Sequence, residues 1–289
     1  MQPVIIAVVV TFNRKTLLIE ALRQLTQQSY PLSQIILINN ASTDGTEDLL
    51  REQGWLDNSK IDYHLLEKNI GGAGGFHQGM ALAAQRSADW LWIMDDDSIP
   101  NTDALEQLLL AQQRLIDKQL APVILASRVN WIDGTPHPMN FSTIRRDDWQ
   151  QLYTALAERC LPIRATSFVS MLLKKQCINE SGLPLANYFI WNDDVEYSGR
   201  VLKNQQGYLV SDSVVIHKTK EKYTPFSQSG DRFFYEVRNK IWMIKSSEAW
   251  TKTERLRYVL VLIKNIFDYL KVKGNSKNKL KIISRGLWH

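Results

Sequence analysis

The chain opens on an unbroken apolar run, VIIAVVVTF from Val4 to Phe12, rich in β-branched residues. It lacks the period-two alternation of a strand with one wet face, so it predicts a parallel strand covered on both sides. Leu17, Leu18, Ala21, Leu22 and Leu25 follow at helical spacing. QIILINN (Gln34 to Asn40) predicts a second buried strand, ASTDGTEDLL a turn into a helix, and IDYHLLE (Ile61 to Glu67) a third strand. The glycines from Gly71 to Gly75 read as a break before a helix over FHQGMALAAQRS. DWLWIMD (Asp89 to Asp95) predicts a fourth strand that ends on three carboxylates, Asp95, Asp96 and Asp97. Strands alternating with helices predict an open α/β sheet with right-handed crossovers.

The second half of the pattern is mixed. PVILASRV, ATSFVSMLLKK and GYLVSDSVVIHK read as strands, and YFIWNDDVEYSGRVLKNQ as a loop entering a helix. From Asp231 onward the period is helical, with Leu256, Val259, Leu260, Ile263, Phe267 and Leu270 on one apolar stripe. Lys264 and Asn265 interrupt that run, which argues against a membrane span. The expected organisation is an α/β domain over 1–230 and a helical, basic segment over 231–289.

Composition changes this picture little. With 289 residues, 44% hydrophobic and 22% charged, a sizeable core is available. The net charge of +5 and a pI near 9.1 suit anionic partners, but the excess is local. Between Lys271 and Arg285 stand Lys271, Lys273, Lys277, Lys279, Lys281 and Arg285, without an acid. Clustered at one end, with no aromatic interleaving and no groove-reading motif, these do not predict a nucleic-acid partner. Cys160 and Cys177 form no CxxC pair, so no thiolate zinc site is expected, though one disulfide stays open. The start has no basic n-region or cleavage site, and a cytoplasmic chain is expected.

Ligands of open α/β sheets lie beyond the carboxyl ends of the strands. Thr11, Asn13, Asn39, Asn40, Asp44, the glycines and the aspartates all fall there. Three adjacent carboxylates repel one another, and a divalent cation such as Mg²⁺ or Mn²⁺ relieves that cost while bridging to a diphosphate. A strand end sends Asp95 and Asp97 to one face, for the metal, and Asp96 to the other, for a ribose or another donor; the alternative is a solvated loop tip. EKNIGGAGGFHQG is not a GxGxxG fingerprint, but its glycines let a backbone pass close to a ligand, or else form a tight turn. Asp193, Asp194 and Glu196, beside Trp191, suit a general base whose pKa is raised by apolar surroundings. They equally suit the acidic first turn of a helix. His217, closing SVVIHK, can complete a Mn²⁺ shell or be a structural histidine.

TFNRK, NNASTDGT, NIGGAGGF, DDDSIP, WNDDVE and FFYEVRN, in this order, resemble the family 2 glycosyltransferases of the GT-A fold, and within them the galactofuranosyl- and rhamnosyltransferase branch. The resemblance runs from Val4 to Lys240. It implies a GT-A type open mixed, mostly parallel sheet flanked by helices, with a C-terminal helical extension. It implies an inverting, metal-dependent glycosyltransferase acting in cell-surface polysaccharide synthesis, such as that of an O-antigen. The donor would be UDP-galactofuranose or, second, dTDP-rhamnose. The acceptor would be a hydroxyl of a glycan or lipid-linked glycan. Asp95 and Asp97 would form the DXD-type motif, with His217 as the further ligand of Mn²⁺ or Mg²⁺. Asp194, with Asp193 beside it, matches the catalytic base, the choice between the two staying open. Glu196 would hold an acceptor hydroxyl. Thr11, Asn13, Arg14, Asn39 and Asp44 would lie near the base and ribose, Gly72, Gly74 and Gly75 would skirt the donor, and Asp96 and Trp191 would complete that side.

Two departures stand out: Asn39 where many relatives carry Asp, and WNDD, which sets Trp191 one residue further from the acids. Two rivals remain. A nucleotidyltransferase would show a glycine-rich loop where TFNRKT stands, and a non-catalytic relative would bind a nucleotide sugar or glycan without turning it over. The C-terminal stripe and lysines would either dock peripherally on anionic lipid at the inner face of the cell membrane or pack on the domain.

Overall fold

A computed structural model describes residues 2–222, 230–272 and 275–289; Lys273 of the basic run and residues 223–229, next to the expected boundary at 230, lie outside these. The opening apolar run forms β1 (Ile5–Thr11), buried along its whole length. Its side chains divide cleanly. Ile5, Ala7 and Val9 enter one core and Ile6, Val8 and Val10 the other, so both faces are covered, as the missing polar alternation requires.

Parallel neighbours β2 (Gln34–Asn39), β3 (Ile61–Leu65) and β4 (Trp90–Asp95) extend the sheet in the order β3-β2-β1-β4. Helices α1 (Lys15–Thr26), α2 (Thr46–Glu52) and α3 (Gly71–Ala84) make the crossovers. The register sets Thr11 opposite Asn39 and Val10 opposite Asp95. That pairing brings the three strand ends to one edge.

Beyond β4 the sheet becomes mixed. Antiparallel β9 (Met171–Lys174) separates β4 from β6 (Pro122–Asn130), and long β10 (Gln206–His217) lies parallel to β6. β8 (Cys160–Ala165) and β7 (Thr143–Ile144) close the order. The stretch ATSFVSMLLKK, expected as one strand, divides between the end of β8 and β9, with a turn between them. Short β5 (Ser98–Pro100), pairing antiparallel with β10, follows the aspartates directly. Cys160 and Cys177 are buried free thiols.

One further expectation changes. The glycines do not break the chain ahead of a helix; α3 begins at Gly71 and takes them in. A Cβ on Gly75 would lie 2.5 Å from Val10 Cγ1, so this glycine exists for close approach of helix to sheet. And the C-terminal stripe, on α9 (Lys252–Lys271), faces outward. Leu262, Asn265 and Tyr269 are its buried residues instead. With α8 (Phe233–Lys245) and α10 (Ser276–Trp288), α9 surrounds a small core of Phe233, Val237, Leu262, Tyr269, Ile282 and Ile283.

Candidate active site

Asp95 ends β4, and Asp96 and Asp97 form the turn that leads into β5. Asp95, Asp97 and His217 offer ligand atoms that all lie within 4.8 Å of one another. Asp96 turns the other way, where its carboxylate accepts from Thr11 Oγ1 at 2.7 Å, Phe12 N at 3.3 Å and Arg14 at 3.2 Å. Asp96 therefore ties the end of β1 to the end of β4. Arg14 also pairs with Asp97.

His217 arrives through β5. The antiparallel register sets His217 opposite Ser98, the residue after Asp97, and its Nε2 lies 3.0 Å from Asp97 Oδ1. Its Nδ1 is 2.8 Å from Asn140 Oδ1. Asn140 uses its amide nitrogen on Ser167 Oγ, so its oxygen accepts and His217 Nδ1 carries a hydrogen. Nε2 is then the nitrogen turned to the carboxylates, the arrangement of a metal-binding imidazole held by an outer partner.

Charge in this corner is crowded. Burial, and next to it the charge of Asp97, push the Asp95 carboxyl up to about 7. Burial pushes Asp96 up to about 6, even with Arg14 beside it. Asp97 goes down, since the bond and charge of His217 outweigh its burial. Two oxygen ligands, one imidazole and an excess of negative charge fit a hard or borderline divalent ion such as Mn²⁺ or Mg²⁺.

The second acid cluster sits at the start of α7 (Asp193–Val201). Asp193 is buried and its carboxyl is pushed far up by burial, then by Asp194, and also by Asp95. The charge of Asp95 thus reaches Asp193 across nearly a hundred residues of sequence. Asp194 is pushed up to about 6 by burial, against the backbone N–H groups of Val195 and Phe168 that its carboxylate accepts.

The backbone that delivers these acids is strained. Phe189, Trp191 and Asn192 each have φ of 66°, in the left-handed region that costs non-glycine residues of order 1–3 kcal/mol each. Helix α8 holds them there. Asn239 donates its amide to the carbonyls of Tyr188, Ile190 and Trp191 at 2.8–3.0 Å. Arg238 reaches the carbonyls of Asn187 and Tyr188. Asn192 is gripped between Lys240 and Glu236, and Asn265 of α9 completes the buried network on Glu236. On the other side Gly71, at φ +77°, abuts the Phe189 carbonyl so closely that no Cβ fits, and that carbonyl accepts from Ala73 N at 3.1 Å.

Other expected residues have internal work. Glu196, read as a holder of an acceptor hydroxyl, is buried with both oxygens engaged, by Arg200 and by Ser247 Oγ at 2.9 Å. These bonds tie α7 to Ser247. Asn39 bonds Tyr63 and Ser42, and Asn13 bonds Thr43, knitting the two loops after β1 and β2 together. Asp44 accepts from Lys15 N and from Thr46, and these bonds lower its pKa despite its burial. Gly74 and Gly75 face packing partners, Ile70 and Val10, and only Gly72 has open space at its Cβ. Trp191 gives its carbonyl to Asn239. Sequence reasoning did not single out Asn140, Asn239 or Lys240. An asparagine inside FFYEVRNK, a poor helix former amid apolar residues, was the available signal.

The profile of Glycosyl transferase family 2 matches residues 6–170. The chain belongs to this family. Its fold is of the GT-A type. It is 28% identical over 209 residues to galactofuranosyltransferase GlfT1 of Mycolicibacterium smegmatis, covering 70% of this chain and 66% of that protein. It is 29% identical over 204 residues to GlfT1 of Mycobacterium tuberculosis, covering 69% and 65%. The chain thus spans about two thirds of the length of these curated relatives. Among solved structures, S. aureus TarS 1-349 in complex with UDP-GlcNAc superposes with a TM-score of 0.61 at 14% identity, over 98% of this chain and 80% of that one. The mannosyltransferase PcManGT from Pyrobaculum calidifontis, in complex with GDP-Man and Mn2+, gives 0.59 at 16% identity, over 98% and 75%. The matched segment contains the aspartates Asp95 to Asp97, and the acid pair on α7 lies beyond it.

Proposed function

We propose that this family 2 enzyme transfers galactofuranose from UDP-galactofuranose to a hydroxyl of a glycan or lipid-linked glycan, with inversion at the anomeric carbon. The observation that carries the proposal is the grouping of Asp95, Asp97 and His217 as ligands for one cation, and the charge of Asp95 reaching Asp193 supports it. The choice of donor rests on the galactofuranosyltransferase relatives. Residues 1–230 serve as the catalytic domain, and 231–289 buttress its acids.

Asp95, Asp97 and His217 would hold Mn²⁺ or Mg²⁺, which supplies charge compensation for a departing diphosphate. The neighbouring donor-bound structures, with UDP-GlcNAc in one and GDP-Man and Mn2+ in the other, support this reading. Asp194 accepts the proton of the acceptor hydroxyl as its oxygen bonds to the anomeric carbon. The bond from that carbon to the diphosphate oxygen breaks, and UDP leaves with the electron pair. Attack from the face opposite the diphosphate inverts configuration. Asp194 suits the role because a carboxylate near pKa 6 is both largely ionised at neutral pH and a competent proton acceptor. Asp193, deeper and pushed higher, keeps a proton more readily and orients its neighbour.

The test is transfer from UDP-galactofuranose to galactoside acceptors with and without Mn²⁺. Product formation that needs the ion supports the reading. Turnover of dTDP-rhamnose in place of UDP-galactofuranose would overturn the donor, and full activity after chelation would overturn the metal.

A further inference from the structure

The stripe on α9 is exposed. Leu256, Leu260, Ile263 and Phe267 are each 59–61% exposed, and Leu270 extends the row. At 100° per residue these five fall within a narrow sector, and none of them is among the buried residues that attach α9 to the protein. Beside the stripe, seven residues apart, stand Arg257, Lys264 and Lys271, all exposed. Lys264 pairs with Asp268 on the surface, and Lys271 lies over the Phe267 ring at 4.2 Å. An apolar row with a basic row along its border is the pattern of a helix lying in a lipid interface.

The charge of the whole chain points the same way. From Lys252 to His289 there are ten Lys and Arg against two acids, while the chain as a whole carries +5, so the part before α9 is net negative. A second copy docked on this stripe would bring two basic rows together, which like-charge repulsion opposes. A surface of anionic lipid headgroups attracts them instead. No helix among the described residues is long and apolar enough to cross a membrane, so α9 would lie on it.

We propose that the outer face of α9 docks this enzyme on anionic phospholipid, the apolar row entering the headgroup boundary and Arg257, Lys264 and Lys271 meeting lipid phosphates. The inference does not depend on the identity of the donor sugar. The experiment is flotation of the full chain with phosphatidylcholine vesicles, with and without phosphatidylglycerol. Recovery with the anionic vesicles is expected, falling as salt rises. The triple variant Leu260→Ser, Ile263→Ser, Phe267→Ser should weaken vesicle binding by about tenfold or more, and so should Arg257→Gln, Lys264→Gln, Lys271→Gln. Unchanged unfolding midpoints and unchanged transfer to a water-soluble acceptor would show that fold and active site are intact in both. Equal recovery with neutral vesicles, or anionic binding untouched by either triple, overturns the proposal. So does a concentration-dependent dimer that the apolar triple abolishes, since a second copy would then cover the stripe.

Discussion

The two acid clusters are built by different physics. On one side, Asp95 and Asp97 are fixed by the register of β1, β4 and β5, all buried or paired strands, and His217 reaches them through a ladder three residues long. On the other, Asp193 and Asp194 hang from four residues of which three sit in left-handed backbone, kept there by side chains of a helix forty or more residues later. The first side is held by backbone pairing and would keep its shape under most side-chain changes. The second is held by a buried polar network, and such networks are satisfied nearly completely or become costly. Metal-type ligation tolerates this division, because carboxylates on a rigid sheet need little adjustment. A proton acceptor that must meet a variable acceptor hydroxyl sits on the more conditional side.

Perturbing each side separately sharpens the contrast. The largest effect is expected from the sheet side. Chelation, or Asp97→Ala, should lower transfer by on the order of 10³-fold, as charge compensation of a leaving diphosphate is worth several kcal/mol, and added Mn²⁺ should restore only the chelated wild type. Next comes Asp194→Asn, expected to cost about 10²-fold or more in kcat while donor binding, followed by calorimetry, stays near wild type. Wild-type kcat in this variant would move the base to Asp193.

The pH profile tests the same residue. Asp194 acts ionised and its folded pKa is about 6, so kcat should fall as pH drops through that value, to about a tenth at one unit below. Asn239→Ala removes the amide that donates to the part-buried carbonyls of Ile190 and Trp191, each such loss worth about 1–3 kcal/mol, while the Tyr188 carbonyl keeps Arg238. It should lower kcat by about tenfold through misplacement of Asp193 and Asp194, with the donor KM little changed. A rise in donor KM without loss of kcat would mean that α8 serves the sheet side instead. The smallest functional effect belongs to Gly75→Ala, which crowds Val10 and should cost about 1–3 kcal/mol of stability in a denaturation midpoint, with kcat kept.

Much of the sheet side was legible in the residues. Continuous β-branched runs predict covered strands, and the aspartates stand where such a strand ends; the turn between β4 and β5, rather than strand alternation, sets Asp96 apart from Asp95 and Asp97. The glycine cluster misled because glycine signals both loops and close packing. Only the position of Val10 under Gly75 separates the two. Glu196 is a different case. It lies four residues before Arg200 on one helix, a spacing that favours pairing, but its full burial depends on Ser247, fifty-one residues on.

What the amino-acid sequence determined by itself was everything that follows from local period and composition: the strands, the helices, the placing of acids at strand ends, and the amphipathic character of α9. What only the tertiary structure decided was which of two faces each helix turned inward and which distant groups met. The α9 stripe was visible as a stripe, yet its outward orientation was fixed by Asn265 reaching Glu236 and by Leu262 and Tyr269 filling the core with Phe233. The electrostatic reach of Asp95 to Asp193 likewise joins residues that no local pattern relates. Local propensity specifies the shape of an element, while the pairing of elements is settled by long-range burial and hydrogen-bond satisfaction, which no short window of sequence contains.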